Sequence, residues 1–139
     1  MAALKPIKYP PKGIRKSRGG SAVPWAKILE HYKRVIEKYD WPYEPMLRLV
    51  ESLAASPIAG ELFPVTSMHT LLITDSETFY HDDNVLFISY NPHKHEFRFE
   101  HRTLSQKNDA KACSEKEAMQ TLSLFLKYKF GVLFDAKAK

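Results

Sequence analysis

Apolar residues recur at helical spacing in two successive stretches, which predicts two amphipathic helices. The first helix starts near Pro24 and ends at residues 40–42, because proline suits the first turn of a helix and disrupts its interior. The second runs from about Glu44 to Ser56, and the short connection predicts an antiparallel helical hairpin. The apolar positions of these two helices are Trp25, Ile28, Leu29, Tyr32, Val35, Ile36 and Tyr39, followed by Met46, Leu47, Val50, Leu53 and Ala54.

From Val65 onward the pattern changes to short runs rich in β-branched and aromatic residues, which predicts strands. In the last run, aromatic residues and a histidine alternate with charged residues, as expected of a strand with one buried face. Aspartate, asparagine and proline separate the runs, and these short connections favour an antiparallel meander of three to four strands. The predicted strands are residues 68–74, 78–81, 85–90 and 96–102.

A third helix is predicted after a polar loop at residues 103–113. Ser114 and Glu117 have the spacing of a capping box, and Gly131 stands where a left-handed C-terminal cap is expected. The predicted fold class is therefore α+β, with the helical hairpin and the C-terminal helix packed on the meander. We expect a single domain at residues 23–135, preceded by an arm at 1–22 and followed by a short tail at 136–139. The apolar stripe of the third helix is Met119, Leu122, Phe125, Leu126 and Phe130.

The net positive charge of the chain is confined to its first 22 residues. Six of the 21 basic residues lie there and none of the 16 acidic ones, so residues 23–139 carry a formal net charge of −1. Prolines and mutual repulsion of the charges oppose regular structure, which predicts an extended basic arm. A charge excess at one end is typical of a segment that binds a partner. The basic residues of the arm are Lys5, Lys8, Lys12, Arg15, Lys16 and Arg18.

Cysteine usage and hydropathy indicate where the protein resides. Cys113 is the single cysteine, so an intrachain disulfide is excluded, which fits a reducing compartment such as the cytoplasm, the nucleus or an organelle matrix, that of the mitochondrion included. No apolar stretch reaches the roughly 20 residues that cross a bilayer. The start of the chain lacks the apolar segment of a secretory signal. We expect an intracellular protein with no transmembrane segment.

The distribution of glycine excludes several classes of enzyme. The chain has five glycines, and none lies between Gly60 and Gly131. Phosphate-binding loops need glycine where the backbone approaches the anion, so the common nucleotide-binding motifs cannot form. The glycine-flanked serine of many hydrolases is missing for the same reason. Cys113 precedes a predicted helix start, but a lone cysteine is ordinarily an inert small residue. We predict no catalytic residue and no cofactor.

Histidines provide an alternative, a metal-dependent enzyme. His93 and His95 have the spacing that places two side chains on one face of a strand, and two aspartates follow His81. His69 or His101 would complete a ligand set if it lay across the sheet. However, His93 and His95 flank a predicted turn and no established metal-binding spacing is matched, so no metal site is predicted.

The basic arm carries the functional prediction. We expect a non-catalytic accessory subunit of a larger assembly, docked on other protein subunits through the arm. The same charges could follow the phosphates of RNA in a ribonucleoprotein or lie on an anionic lipid surface. Trp41 and Tyr43, in the connection between the first two helices, are candidate anchors for a partner, or pack as core beneath it. A stand-alone regulatory binding domain is a further alternative.

Overall fold

The computed structural model describes residues 23–75, 84–103 and 106–134 of the 139-residue chain, except for the side chains of residues 106 and 107. The predicted arm, the predicted strand at 78–81 and the predicted tail lie outside these residues. What the structure describes is an α+β domain in which helices cover one face of a five-stranded antiparallel sheet. The predicted fold class is confirmed, with five strands where three to four were expected.

Two helices form the predicted hairpin. Helix α1 spans Trp25–Tyr39 and helix α2 spans Glu44–Ala54. Pro24 caps the start of α1, and Asp40 ends it in the left-handed conformation with φ 56°, a position that aspartate tolerates. A short 3-10 helix, Pro57–Glu61, leads from α2 to the sheet.

The sheet is a simple meander in which each strand pairs with the next. Its strands are β1 (Phe63–Ser67), β2 (Thr70–Thr74), β3 (Val85–Asn91), β4 (Glu96–Thr103) and β5 (Gln106–Ser114). The alternation of β4 is confirmed, since Phe97, Phe99 and His101 are buried on the helix-covered face. Their charged neighbours lie on the other face, where Glu100 contacts the guanidinium groups of Arg98 and Arg102.

The C-terminal helical region has three segments. A 3-10 turn, Glu115–Glu117, is followed by helix α3 (Ala118–Phe125) and by a π-helical turn, Leu126–Phe130. Gly131 has φ 71°, which confirms the predicted left-handed cap. The predicted capping box is wrong, because Ser114 makes no side-chain cap hydrogen bond and belongs to β5.

The core lies between the helices and the sheet. Helix α1 packs against α2 and β1, and α3 packs against β4 and β5. Tyr32 is fully buried in this layer, as are Met46, Leu53 and Phe99. Complete burial of such a side chain stabilises the fold by roughly 1.5–3 kcal/mol. Of the predicted apolar positions, Tyr39 is an exception, because it is 57% exposed at the end of α1.

Two strand predictions need correction. Residues 68–74 were expected to form one strand, but Met68 and His69 form a turn, and β1 and β2 lie on either side of it. Residues 103–113 were expected to form a loop, but most of them belong to β5. The sequence of β5 is polar because an edge strand has one side open to solvent, and charged side chains there oppose pairing with another chain.

Candidate functional site

A two-residue turn between β1 and β2 presents Met68 to solvent. Ser67 pairs with Thr70 across the turn, and φ is positive at Met68 (60°) but not at His69, as in a type II′ turn. Glycine is the usual residue at this first position, because a Cβ atom there crowds the next carbonyl. Met68 is 83% exposed, so packing within the domain does not offset this backbone strain.

The same turn brings His69 against His31 on α1. Nδ1 of His69 lies 3.3 Å from Nε2 of His31, and the two ring planes are 30° apart. One nitrogen donates the proton and the other accepts it. Burial lowers the pKa of His31, the charges of His69 and Arg34 lower it further, and a hydrogen bond with the Met68 backbone acts in the opposite direction. His31 is therefore neutral at pH 7.

Three aromatic side chains support this histidine pair. The Tyr32 hydroxyl donates to the backbone carbonyl of His69 at 3.0 Å, and the Trp41 ring meets the His69 ring edge to face, with centroids 4.6 Å apart. Tyr43 stacks on Tyr32 at 6.4 Å between centroids, and its hydroxyl donates to the carbonyl of Tyr90 at 3.4 Å. Burial raises the pKa of Tyr32 and of Tyr43, so both phenols stay protonated and act as donors.

We define His31, Trp41, Met68 and His69 as the turn surface. Trp41 is 42% exposed, and the two histidines are half-buried. Tryptophan and methionine are enriched at the centres of protein interfaces, where a rigid aromatic anchor loses little entropy on binding. The turn surface can therefore bind another molecule through apolar contact and through the imidazole nitrogens.

The predicted partner anchors occupy different environments. Trp41 is exposed and belongs to the turn surface, whereas Tyr43 is only 9% exposed and supports that surface from inside. The six basic residues of the predicted arm lie outside the described residues. Sequence reasoning did not pair His31 with His69, because 38 positions separate them and no local pattern joins a helix face to a hairpin turn.

The histidines considered for metal binding are dispersed. His81 lies outside the described residues. His93 and His95 lie in the predicted turn between β3 and β4, where the His93 amide donates to the side-chain oxygen of Asn91 at 2.9 Å. His95 has φ 52°, so the two do not share a strand face. Within residues 23–75, 84–103 and 106–134, no three histidine, cysteine, aspartate or glutamate side chains are grouped to hold a metal ion.

A second polar cluster joins β3, the β3–β4 turn and the 3-10 turn before α3. The Tyr90 hydroxyl donates to Oε2 of Glu115 at 2.5 Å, and Nδ1 of His95 lies 3.1 Å from the same oxygen. Both hydrogen bonds lower the pKa of Glu115 below its usual value, and the bond from Tyr90 has the larger effect. The carboxylate is therefore ionised at pH 7.

This cluster borders a cleft of about 280 Å³ between α2, β4 and α3. Arg48 and Glu115 supply its charges, and most of its other lining residues are apolar. Cys113 is a free, buried cysteine. Burial raises the pKa of Cys113, which disfavours the thiolate. The lining residues are Pro45, Arg48, Leu49, Ser52, Phe97, Glu115, Ala118 and Met119.

His101 is a buried histidine of a different kind. It is 2% exposed, and among the described residues neither of its ring nitrogens has a hydrogen-bond partner. Its ring meets that of Phe130 edge to face at 5.9 Å between centroids. Burial lowers the pKa of His101, and the positive charge of Lys129 lowers it further. The imidazole is therefore neutral and fills space in the core.

Comparison with models of known families, with curated proteins and with solved structures finds no match for this chain. In the described residues, no helix has both the length and the hydropathy needed to cross a membrane.

Proposed function

We propose that this protein is a non-catalytic accessory subunit of a larger intracellular assembly, and that it binds an acidic protein partner. The turn surface supplies the apolar anchor, and the basic segment at residues 1–22 supplies the charge. The observation that supports this proposal is an exposed methionine at a position where the backbone favours glycine.

Met68 is unfavourable for folding in two respects. A non-glycine residue with φ near 60° costs roughly 1–2 kcal/mol, and an 83% exposed thioether gains almost nothing from burial. The hydrogen bond between His31 and the Met68 backbone holds the turn but leaves the Met68 side chain exposed. Residues that violate local preferences are concentrated at functional sites. Binding of a partner over Met68 would bury its side chain.

The surroundings of Met68 suit an interface. The Trp41 ring contacts the His69 ring, and the His69 carbonyl accepts a hydrogen bond from the fully buried Tyr32. Trp41 is therefore held in place before a partner binds. A preorganised aromatic side chain loses little conformational entropy when a partner covers it. This arrangement favours a protein partner over a solvated surface.

The charge of the sequence indicates the chemistry of the partner. Residues 1–22 carry six basic and no acidic side chains, while residues 23–139 are close to neutral. An arm of this kind gains affinity and association rate from an acidic partner, and it loses both as salt is added. RNA would use the same charges and would stack a base on Trp41, but the Met68 thioether offers RNA neither a charge nor an aromatic face, whereas a protein partner buries both side chains.

The test is the native size of the tagged full chain in a gentle extract of its source cells, before and after nuclease treatment. We expect a large, nuclease-resistant species that shifts towards the 16.1 kDa monomer when residues 1–22 are deleted or Trp41 is replaced by alanine. Tyr128→Ala is the matched control, because Tyr128 is 69% exposed on a different element. Circular dichroism confirms that each variant is folded.

Each other outcome has a definite meaning. A species near the monomer mass in both untreated and treated extracts contradicts the proposal. Collapse of the large species on nuclease treatment supports the ribonucleoprotein alternative. Equal loss from Trp41→Ala and Tyr128→Ala would show that the turn surface is not the anchor.

A further inference from the structure

We propose that His31 and His69 form a two-imidazole binding site for a divalent transition-metal ion such as Zn²⁺ or Cu²⁺. This proposal does not depend on the accessory-subunit function. The metal site considered from the sequence combined His93 and His95 with His69 or His101, whereas this one pairs His69 with His31 of helix α1.

The separation of the two nitrogens matches a shared metal ion. Imidazole nitrogens bound to tetrahedral Zn²⁺ lie about 2.0–2.1 Å from the ion, which places two of them about 3.3–3.4 Å apart. Nδ1 of His69 and Nε2 of His31 are 3.3 Å apart. An ion in place of the bridging proton would keep this N···N separation, and each ring would turn so that its nitrogen faces the ion and not the other imidazole.

Both imidazoles are held in place by the fold. His31 lies within α1, beside the buried Tyr32. His69 is held at its carbonyl by the Tyr32 hydroxyl and at its ring by the edge of Trp41. Metal ligands fixed by surrounding hydrogen bonds and packing bind more tightly than ligands that must first be ordered.

Protonation and access are also suitable. Metal binding requires a neutral imidazole, and burial, together with the positive charge of Arg34, favours the neutral form of His31. The two rings are half-buried, so an ion can reach them from solvent. No third protein ligand is grouped with them among the described residues, so water completes the coordination and the ion exchanges readily.

Tryptophan fluorescence provides a local test, with Cu²⁺ as the probe. Imidazole sites bind Cu²⁺ more tightly than the other common divalent ions, and Cu²⁺ quenches nearby fluorophores. The centroids of the Trp41 and His69 rings are 4.6 Å apart. Trp25, which bonds to the carbonyl of Ala59, is replaced by phenylalanine so that Trp41 alone reports.

We expect saturable, chelator-reversible quenching with one Cu²⁺ per chain, and competition by Zn²⁺. His31→Gln and His69→Gln should each weaken binding at least about tenfold. Loss of a residue that only hydrogen-bonds to a metal ligand already costs about tenfold in affinity, and loss of the ligand itself costs no less. His95→Gln is the matched control, since His95 is exposed in a different turn. Binding should also weaken as the pH is lowered, because protons compete with the ion for the imidazole nitrogens.

A measurement on the unmodified protein guards against variants that fail to fold. In NMR spectra of the full chain, substoichiometric Cu²⁺ should broaden the ring signals of His31 and His69 before those of His93 and His95. Earlier broadening of the other histidines would overturn the proposal. So would quenching that does not saturate, or an unchanged affinity in folded His31→Gln.

Discussion

The hydroxyl of Tyr32, in the middle of α1, donates a hydrogen bond to the backbone carbonyl of His69 at a distance of 3.0 Å. Tyr32 is fully buried, and the bond joins residues 37 positions apart in the chain. It fixes the β1–β2 turn against the helix, and with it the positions of Met68 and the histidine pair.

Replacing Tyr32 by phenylalanine should loosen this turn with little change in packing volume. We expect a loss of about 1 kcal/mol in the free energy of unfolding, because the His69 carbonyl loses its protein partner. Urea denaturation measures the change, and Tyr39→Phe is the control because Tyr39 is exposed at the end of α1. Equal stability of the two variants would contradict the role assigned to Tyr32.

Met68→Gly should make the domain more stable. Glycine adopts φ near 60° without the Cβ clash, but it also gains entropy in the unfolded chain, so we expect a net gain of about 0.5–1 kcal/mol. Met68→Ala is the matched control, because it removes the thioether and retains the backbone strain. Thermal unfolding should rank Gly above Ala and Met.

The same pair of variants separates folding from binding. Under the proposed function, Met68→Gly and Met68→Ala both weaken incorporation into the assembly, although only the glycine variant is more stable. Size-exclusion chromatography of extracts measures incorporation. Normal incorporation of both variants would show that the exposed methionine has no part in binding.

The hydrogen bond from Tyr90 to Glu115 should contribute to stability in a pH-dependent way. The bond holds the pKa of Glu115 below its ordinary value, so its contribution is present above about pH 4.5 and is lost as the pH falls through the folded-state pKa. Tyr90→Phe should lower the free energy of unfolding by about 1 kcal/mol at pH 7 and by less at pH 3. The value at pH 7 allows for partial exposure of the carboxylate.

Urea denaturation at pH 7 and at pH 3 measures this difference. Tyr128→Phe serves as the control, because Tyr128 is an exposed phenol. A Tyr90→Phe effect that is the same at both pH values would show that ionisation of Glu115 plays no part.

His101 should make the domain less stable in mild acid. Its pKa is lowered by burial, so the folded state resists the proton that the unfolded chain accepts below about pH 6.5. Stability is therefore highest above that pH and falls as the pH drops towards the folded-state pKa. His31 has the same direction of shift and adds to the effect.

His101→Phe should flatten this pH profile. The phenylalanine ring is larger than the imidazole, but it leaves no buried polar nitrogen, and we expect these two effects to offset each other at pH 7. At pH 5 we expect a gain of about 1 kcal/mol. Thermal unfolding midpoints from pH 5 to pH 8 measure the profile, with His93→Phe as the exposed control. An unchanged slope would contradict this account.

The elements that the sequence predicted best are those whose burial is periodic. Helix α1 starts where Pro24 indicated, and β4 alternates as its sequence does, because each has one face in the core. β5 was missed because its polar residues do not alternate with apolar ones along this edge of the sheet. Only its pairing with β4 identifies it as a strand. The turn at Met68 was missed because methionine is not a typical turn residue.

The amino-acid sequence by itself determined the fold class, the helical hairpin, the strongest strands and the concentration of positive charge in residues 1–22. Local spacing and charge contain this information, because each residue's preference depends mainly on its neighbours along the chain. Only the tertiary structure decided that Trp41 is exposed while Tyr43 is buried, and that His31 meets His69. Such contacts join residues distant in sequence, and they form only when the packing of α1 against the sheet fixes the distance between them.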